Sequence, residues 1–201
     1  MGRLNAADID GVTIDAYGTL ATLVDPLPRL HELLPNHNRA EIERAFRAEG
    51  SFYAANVSTG RDAATLARLR EACVAVFNDT LGSTLTADEY VGTLCFESLP
   101  GVREALRRLQ SLGVTLAVVG NWDFSLHHWL SELGLAHAFA TVVHAAAKPS
   151  PDGILTALEA MQVSPARALH IGDDPSDEEA ARAAGVHFAP APLAEAVASL
   201  V

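Results

Sequence analysis

The sequence predicts an α/β fold: a Rossmann-like parallel sheet covered by helices on both faces, with a helical block inserted after the first strand. Three observations point to it. A β-branched run, Val12-Thr13-Ile14, ends in a carboxylate and a glycine turn, Asp15-Ala16-Tyr17-Gly18-Thr19-Leu20. From Leu99 onward, helix-period stretches alternate with short apolar runs. Between these regions, from about Asp25 to Phe96, apolar residues recur at helical spacing and no strand stands out. Strands alternating with helices are buried on both faces, the setting in which parallel sheets occur.

The elements follow in order. Val12–Ile14 reads as a buried strand that delivers Asp15 at its C-terminal end, and Gly18 lets the backbone turn sharply. In the inserted block, Glu41 to Phe52 carries Ile42, Ala45, Phe46 and Glu49 on one helical repeat. Asp62 to Leu81 carries Leu66, Leu69, Cys73, Val76 and Phe77, with Asp62 as N-cap and Gly82 as stop. Thr86-Ala87-Asp88-Glu89 opens a further short helix, and Pro26, Pro28 and Pro100 bound the block. Beyond it, Gly101 to Leu112 is a helix stopped by Gly113, and Val114 to Val119 is a strand. Asp123 caps a helix to Leu133 that Gly134 ends, and Thr141–Val143 is a short strand. Ser150-Pro151-Asp152 starts a helix that runs to Met161. Ala168–Ile171 is a strand, Asp174–Ala184 a helix stopped by Gly185, and Val186–Ala189 the last strand.

A chain of 201 residues holds one ordinary domain, or a core domain with a smaller insert. Its 49% hydrophobic content is enough for a well-buried core. The formal charge of −11 argues against nucleic acid or an anionic membrane as partner, but leaves room for a small anionic substrate in a locally positive site. Cys73 and Cys95 are too few and too isolated for a disulfide framework or a zinc site. The start, Met1-Gly2-Arg3-Leu4-Asn5, lacks the apolar run of a signal peptide, and no stretch reaches membrane-spanning length. The expected location is the cytoplasm. Oligomeric state has no signature in the sequence.

Four strand ends carry chemistry. In open α/β sheets, ligands sit outside the carboxyl ends of the strands, where Asp15 stands. Val119-Gly120-Asn121-Trp122-Asp123 follows the second long strand, where the Asn121 amide and the N–H groups after it are placed to hold an anion's oxygens. Lys148-Pro149 follows Thr141–Val143, and Pro149 favours an extended Lys148 with its side chain at the strand-end surface. Gly172-Asp173-Asp174-Pro175-Ser176-Asp177 follows Ala168–Ile171. Acids at a helix N-terminus explain Asp174 and Asp177 without any ligand. They give no reason for Asp173. Clustered hard oxygens at a strand end suit Mg²⁺.

As a set, Asp15-Ala16-Tyr17-Gly18-Thr19-Leu20, Gly120-Asn121, Lys148-Pro149 and Gly172-Asp173-Asp174-Pro175-Ser176-Asp177 resemble the haloacid dehalogenase superfamily over nearly the whole chain. The resemblance implies a core domain of residues 1–22 and 98–201 and an all-helical cap over residues 23–97. It implies Asp15 as a nucleophile that attacks phosphorus or carbon and forms a covalent aspartyl intermediate, later hydrolysed by water. Lys148 would hold Asp15 and the substrate anion. Mg²⁺ would lie on Asp15, the backbone carbonyl of Tyr17 and Asp173, with Asp177 ordering its waters.

Two departures divide the possible reactions. Phosphatases of the family carry a second aspartate, a general acid and base, where this chain has Tyr17. A tyrosine of ordinary pKa, about 10, shuttles protons poorly at neutral pH. The wording Asp-Ala-Tyr-Gly-Thr-Leu resembles the metal-independent 2-haloacid dehalogenases, whose halide leaves without a proton. Gly120 replaces a Ser or Thr that donates to the transferring group. The metal segment favours a Mg²⁺-dependent phosphatase acting on a small phosphorylated metabolite. The alternatives are a 2-haloacid dehalogenase and a catalytically weak member with a binding role.

Overall fold

A computed structural model describes residues 5–200. The expectation drawn from Met1 to Leu4 lies outside the described residues. The strands are β1 (Gly11–Ile14), β2 (Ala21–Leu23), β3 (Phe96–Ser98), β4 (Thr115–Val119), β5 (Thr141–Val143), β6 (Ala168–Gly172) and β7 (His187–Pro190). The helices are α1 (Leu27–Leu33), α2 (Arg39–Asn56), α3 (Ala63–Leu81), α4 (Ala87–Gly92), α5 (Val102–Ser111), α6 (Leu126–Glu132), α7 (Asp152–Met161), α8 (Pro175–Ala184) and α9 (Leu193–Ala198). They form two compact units, one of residues up to Thr22 together with those from Ser98, the other Leu23–Glu97.

In the first unit, five strands lie side by side in the order β5-β4-β1-β6-β7, all parallel. The chain lays down β1, β4 and β5 toward one edge, then crosses back to place β6 and β7 beyond β1. The strand order therefore reverses at β1, and a crevice opens there at the carboxyl ends. All four residues of β1 are buried, and Thr13 is in register with Ala117 of β4 and His170 of β6. Alternation along β4 sends Ala117 and Val119 to the face covered by α7 and α8. There they meet Ile154, Ala157 and Leu158 of α7 and the small Ala180, Ala181 and Ala184 of α8, which allow a close approach. Helices α5 and α9 cover the opposite face. Burying a residue such as Ile154 or Leu158 contributes about 1.5–3 kcal/mol.

The second unit is built from α1 to α4, with α2 and α3 packed along one another. Each of the last three has a capping box: Asn38 with Glu41, Asp62 with Thr65, and Thr86 with Glu89. Leu30, Ile42, Ala45, Val74, Phe77 and Tyr90 form its core. Glu49 lies on the buried face of α2, where its carboxylate accepts a hydrogen bond from the Tyr90 hydroxyl at 2.7 Å.

Some elements differ from expectation. The stretch read as strandless ends in β3, which pairs with β2 as a two-stranded sheet. Three-residue strands are too short to show a period. Helix α6 begins at Leu126 rather than after Asp123, because the Asp123 carboxylate accepts the Ser125 N–H and forms a turn ahead of the helix. At α7, Pro151 takes the N-cap position, and the Ser150 hydroxyl accepts from Asp152 N–H at 3.3 Å.

Candidate active site

Strand β1 ends by handing Asp15 to the crevice. The Asp15 N–H donates to the Ile171 carbonyl at 2.9 Å, which anchors its backbone, and the residue is buried. The turn that follows needs Gly18 for two reasons. Its φ is +84°, and a Cβ there would run into the Asp173 carboxylate. Thr19 is buried beneath that carboxylate and donates to its Oδ1 at 3.2 Å. Tyr17 is 54% exposed, edge-on to Trp122 with ring centroids 6.3 Å apart.

Lys148 departs most from its expected setting. Read as a surface lysine, it is buried, and its ammonium donates to Asp15 Oδ1 and, at 2.5 Å, to Asp177 Oδ1. Asn121 fixes its main chain from both sides. The Lys148 N–H donates to Asn121 Oδ1 at 2.8 Å, and Asn121 Nδ2 donates to the Lys148 carbonyl at 2.9 Å. The carbonyl and one N–H of the Asn121 amide are thus engaged with the Lys148 main chain.

Strand β6 supplies the remaining acids. Asp173 is exposed, and Asp174 caps α8 in a capping box with Asp177. Asp177 is almost wholly buried and has both oxygens occupied. Oδ1 accepts from Lys148 and from His170 Nε2 at 3.1 Å, while Oδ2 accepts from the Asp174 N–H at 3.1 Å. Gly172 is required beneath it, since a Cβ there would strike this carboxylate.

The charges are arranged unevenly. Burial pushes the Asp15 carboxyl above the carboxylate range, against the pull of Lys148. Burial would raise Asp177 too, but the His170 hydrogen bond and Lys148 hold it down at about 2. Burial works against the Lys148 ammonium, yet Asp15 and Asp177 together keep its pKa above the ordinary value. One oxygen each from Asp15, Asp173 and Asp177 can lie within 4.8 Å of the others. Two of these carboxylates share one ammonium and the third has none, which leaves surplus negative charge, and these hard oxygens are the donors Mg²⁺ takes. The residues fit that ion.

Gly120 is buried at the end of β4. A Cβ there would stand 3.2 Å from Ala16 Cβ and 3.5 Å from Leu126 Cδ2, so a small side chain fits only if these neighbours give slightly.

The family model for haloacid dehalogenase-like hydrolases matches residues 9–185, most of the chain and every segment just described. The chain belongs to this family. Among curated relatives, this haloacid dehalogenase-like hydrolase is 30% identical to a Pseudomonas putida phosphoglycolate phosphatase over 92% of its length and 67% of the relative's. It is 39% identical to Xenopus laevis haloacid dehalogenase-like hydrolase domain-containing protein 3 over 94 residues, which are 44% of this chain and 38% of that protein. Its fold is like that of L-2-haloacid dehalogenase from Xanthobacter autotrophicus, with a TM-score of 0.66 and 23% identity over 90% of this chain and 77% of the other. A phosphatase is thus among its curated relatives, and a dehalogenase shares its fold. No helix among the described residues is long and apolar enough to cross a membrane.

Sequence reasoning missed His170, and it gave Asp177 the task of ordering a metal's waters rather than that of holding Lys148. A histidine inside Ala168-Leu169-His170-Ile171 interrupts an apolar strand, and that was the available signal. Its meaning depends on Thr13, which becomes a neighbour only through the β1–β6 register.

Proposed function

We propose that this hydrolase is a Mg²⁺-dependent phosphatase acting on a small phosphorylated metabolite, with Asp15 as its nucleophile. The observation that carries the reading is Asp173 beside Asp15. A haloacid's carbon–halogen bond breaks without a cation, so that reaction gives no reason to place a further carboxylate next to Asp15. The phosphatase relative supports the same choice.

In this mechanism Lys148 holds one Asp15 oxygen and the other attacks phosphorus. The bond from phosphorus to the ester oxygen breaks, and that oxygen leaves with the electron pair and takes a proton from water. A second water attacks the aspartyl phosphate at phosphorus and gives its proton to solvent, so phosphate departs and Asp15 is restored. Lys148 also balances the charge that builds on the phosphoryl oxygens. Asn121 acts by fixing the Lys148 main chain, and N–H groups near Gly120 offer donors where a serine hydroxyl is missing. Mg²⁺, when bound, would be held by Asp15, Asp173 and the Tyr17 carbonyl and would supply positive charge next to the phosphoryl group. The helical unit Leu23–Glu97 is read as the family's cap, and the protein as cytoplasmic.

The test is a hydrolysis screen of phosphate esters and 2-haloacids, each with Mg²⁺ and with chelator. Phosphate release that needs Mg²⁺ is expected. Halide release that persists in chelator would instead establish the dehalogenase reading, which Tyr17 favours.

A further inference from the structure

Among the buried polar side chains that the mechanism leaves unused, His170 lies nearest the charged groups of the site. His170 sits in the central layer of the sheet with no exposed surface, and its ring is flanked by Phe188 at 6.4 Å between centroids. Nδ1 lies 2.8 Å from Thr13 Oγ1 and Nε2 lies 3.1 Å from Asp177 Oδ1. The tautomer follows from donor chemistry. An ionised carboxylate only accepts, so the hydrogen must be on Nε2. Nδ1 is then a bare acceptor, and the Thr13 hydroxyl donates to it. A second ring proton would put a cation in the core next to the Lys148 ammonium, which shares the same Asp177 oxygen; burial opposes it first, and Lys148 adds to that opposition.

We propose that His170 is a positioning residue: held as the neutral Nε2–H tautomer by Thr13, it clamps the Asp177 carboxylate and thereby keeps the Lys148 ammonium on Asp15. The chain of contacts runs Thr13, His170, Asp177, Lys148, Asp15. Asp177 Oδ1 takes two donors and Oδ2 a third, so the carboxylate has no freedom to turn while His170 is present. Without the Nε2–H it is held by the flexible lysine and one backbone N–H. The catalytic half of this proposal rests on the reading of Asp15 as nucleophile, but the clamp itself does not.

Lys148 is the only lysine in the sequence, so ¹⁵N-lysine labelling gives one side-chain ammonium signal. The experiment follows that signal and its hydrogen exchange in wild type, His170→Leu and His170→Gln, alongside kcat and KM for p-nitrophenyl phosphate with Mg²⁺. His170→Leu is expected to speed ammonium exchange and lower kcat by about tenfold with little change in KM. His170→Gln, which returns an N–H donor toward Asp177, is expected to restore most of both. Should His170→Leu fail to fold, Thr13→Val keeps the ring and removes only the tautomer lock, and a smaller shift in the same two readouts is expected. In wild type, ¹⁵N-histidine spectra should show His170 as the Nε2–H form. An Nδ1–H form, or a folded variant with both the ammonium and kcat unmoved, would overturn the proposal. An inert wild type whose ammonium still responds to His170 would remove the phosphatase reading and leave the clamp standing.

Discussion

Lys148 shows how far one residue's role depends on where its charge is buried. A lysine on a solvated loop would be dispensable for folding, but this one separates two buried carboxylates. Removing one partner of a buried ion pair typically costs about 3–5 kcal/mol, because the remaining charge has no counterion. Lys148→Ala is therefore expected to abolish turnover and also to lower the melting temperature, by about 2–4 °C per kcal/mol for a chain of this size. An unchanged melt would show that the acids tolerate its loss by taking up protons. Tyr17 poses the opposite case, a largely exposed side chain at the mouth of the site. On the proposed phosphatase mechanism, a phenol at this position leaves protonation of the leaving group to water. Aryl phosphates should then react much faster than alkyl phosphates. Because general acid–base catalysis is worth about 10²–10⁴-fold, Tyr17→Asp should raise activity on alkyl phosphates by at least about tenfold. A loss on every ester would count against the phosphatase mechanism, since a further charge beside Asp15 harms a dehalogenase nucleophile.

At the scale of elements, the helical unit carries its own buried carboxylate. Burial raises the Glu49 pKa above 4.5, against hydrogen bonds from Tyr90 and Cys73 that lower it. An acid raised in the folded state binds more protons folded than unfolded, so its contribution is fullest below pH 4.5 and is lost as pH rises through the folded value. Glu49→Gln keeps an acceptor for Tyr90 and removes the titration. Its melting temperature should gain on wild type more at pH 7 than at pH 4, and a difference independent of pH would show that Glu49 titrates alike in the folded and unfolded chain. The neighbouring helices were legible because their ends are written locally: Asp62 and Thr86 accept from N–H groups three residues on, and Gly82 takes φ +78°. The same locality made β1, β4 and β6 readable as apolar runs closed by polar residues. The β2–β3 pair, α1 and α9 had no comparable signal, since a three-residue strand shows no period and short helices beside prolines resemble loops. The site was legible as a set of strand ends but not as a network. Pairing of Asn121 with the Lys148 backbone, and of His170 with Thr13, is created by strand order and register, which no local pattern encodes.

The strand order sets what the whole molecule does with its charge. Because the order reverses at β1, Asp15 lies at the crevice with β6 on one side and β4 on the other, so Asp173 and Lys148 reach it from opposite directions. The resulting surplus of carboxylate repels itself in the folded chain and is spread out in the unfolded one. A cation that binds only the folded form offsets this repulsion and shifts the folding equilibrium by mass action, about 2.7 kcal/mol at one hundred times its dissociation constant. For a chain of this size that corresponds to a rise of roughly 5–10 °C in melting temperature. Wild type is therefore expected to melt higher as Mg²⁺ is added and to return to its starting value with chelator. Asp173→Asn should melt near or above wild type without the ion, since one repelling charge is gone, and should respond to Mg²⁺ much less. The unequal responses separate a metal site from a general salt effect, which would move both proteins alike and would be reproduced by an equal ionic strength of sodium chloride. If calorimetry finds no Mg²⁺ binding at millimolar concentration and the two melts run in parallel, Asp15 and Asp177 serve the Lys148 ion pair alone, Asp173 holds no metal, and the metal-dependent mechanism fails.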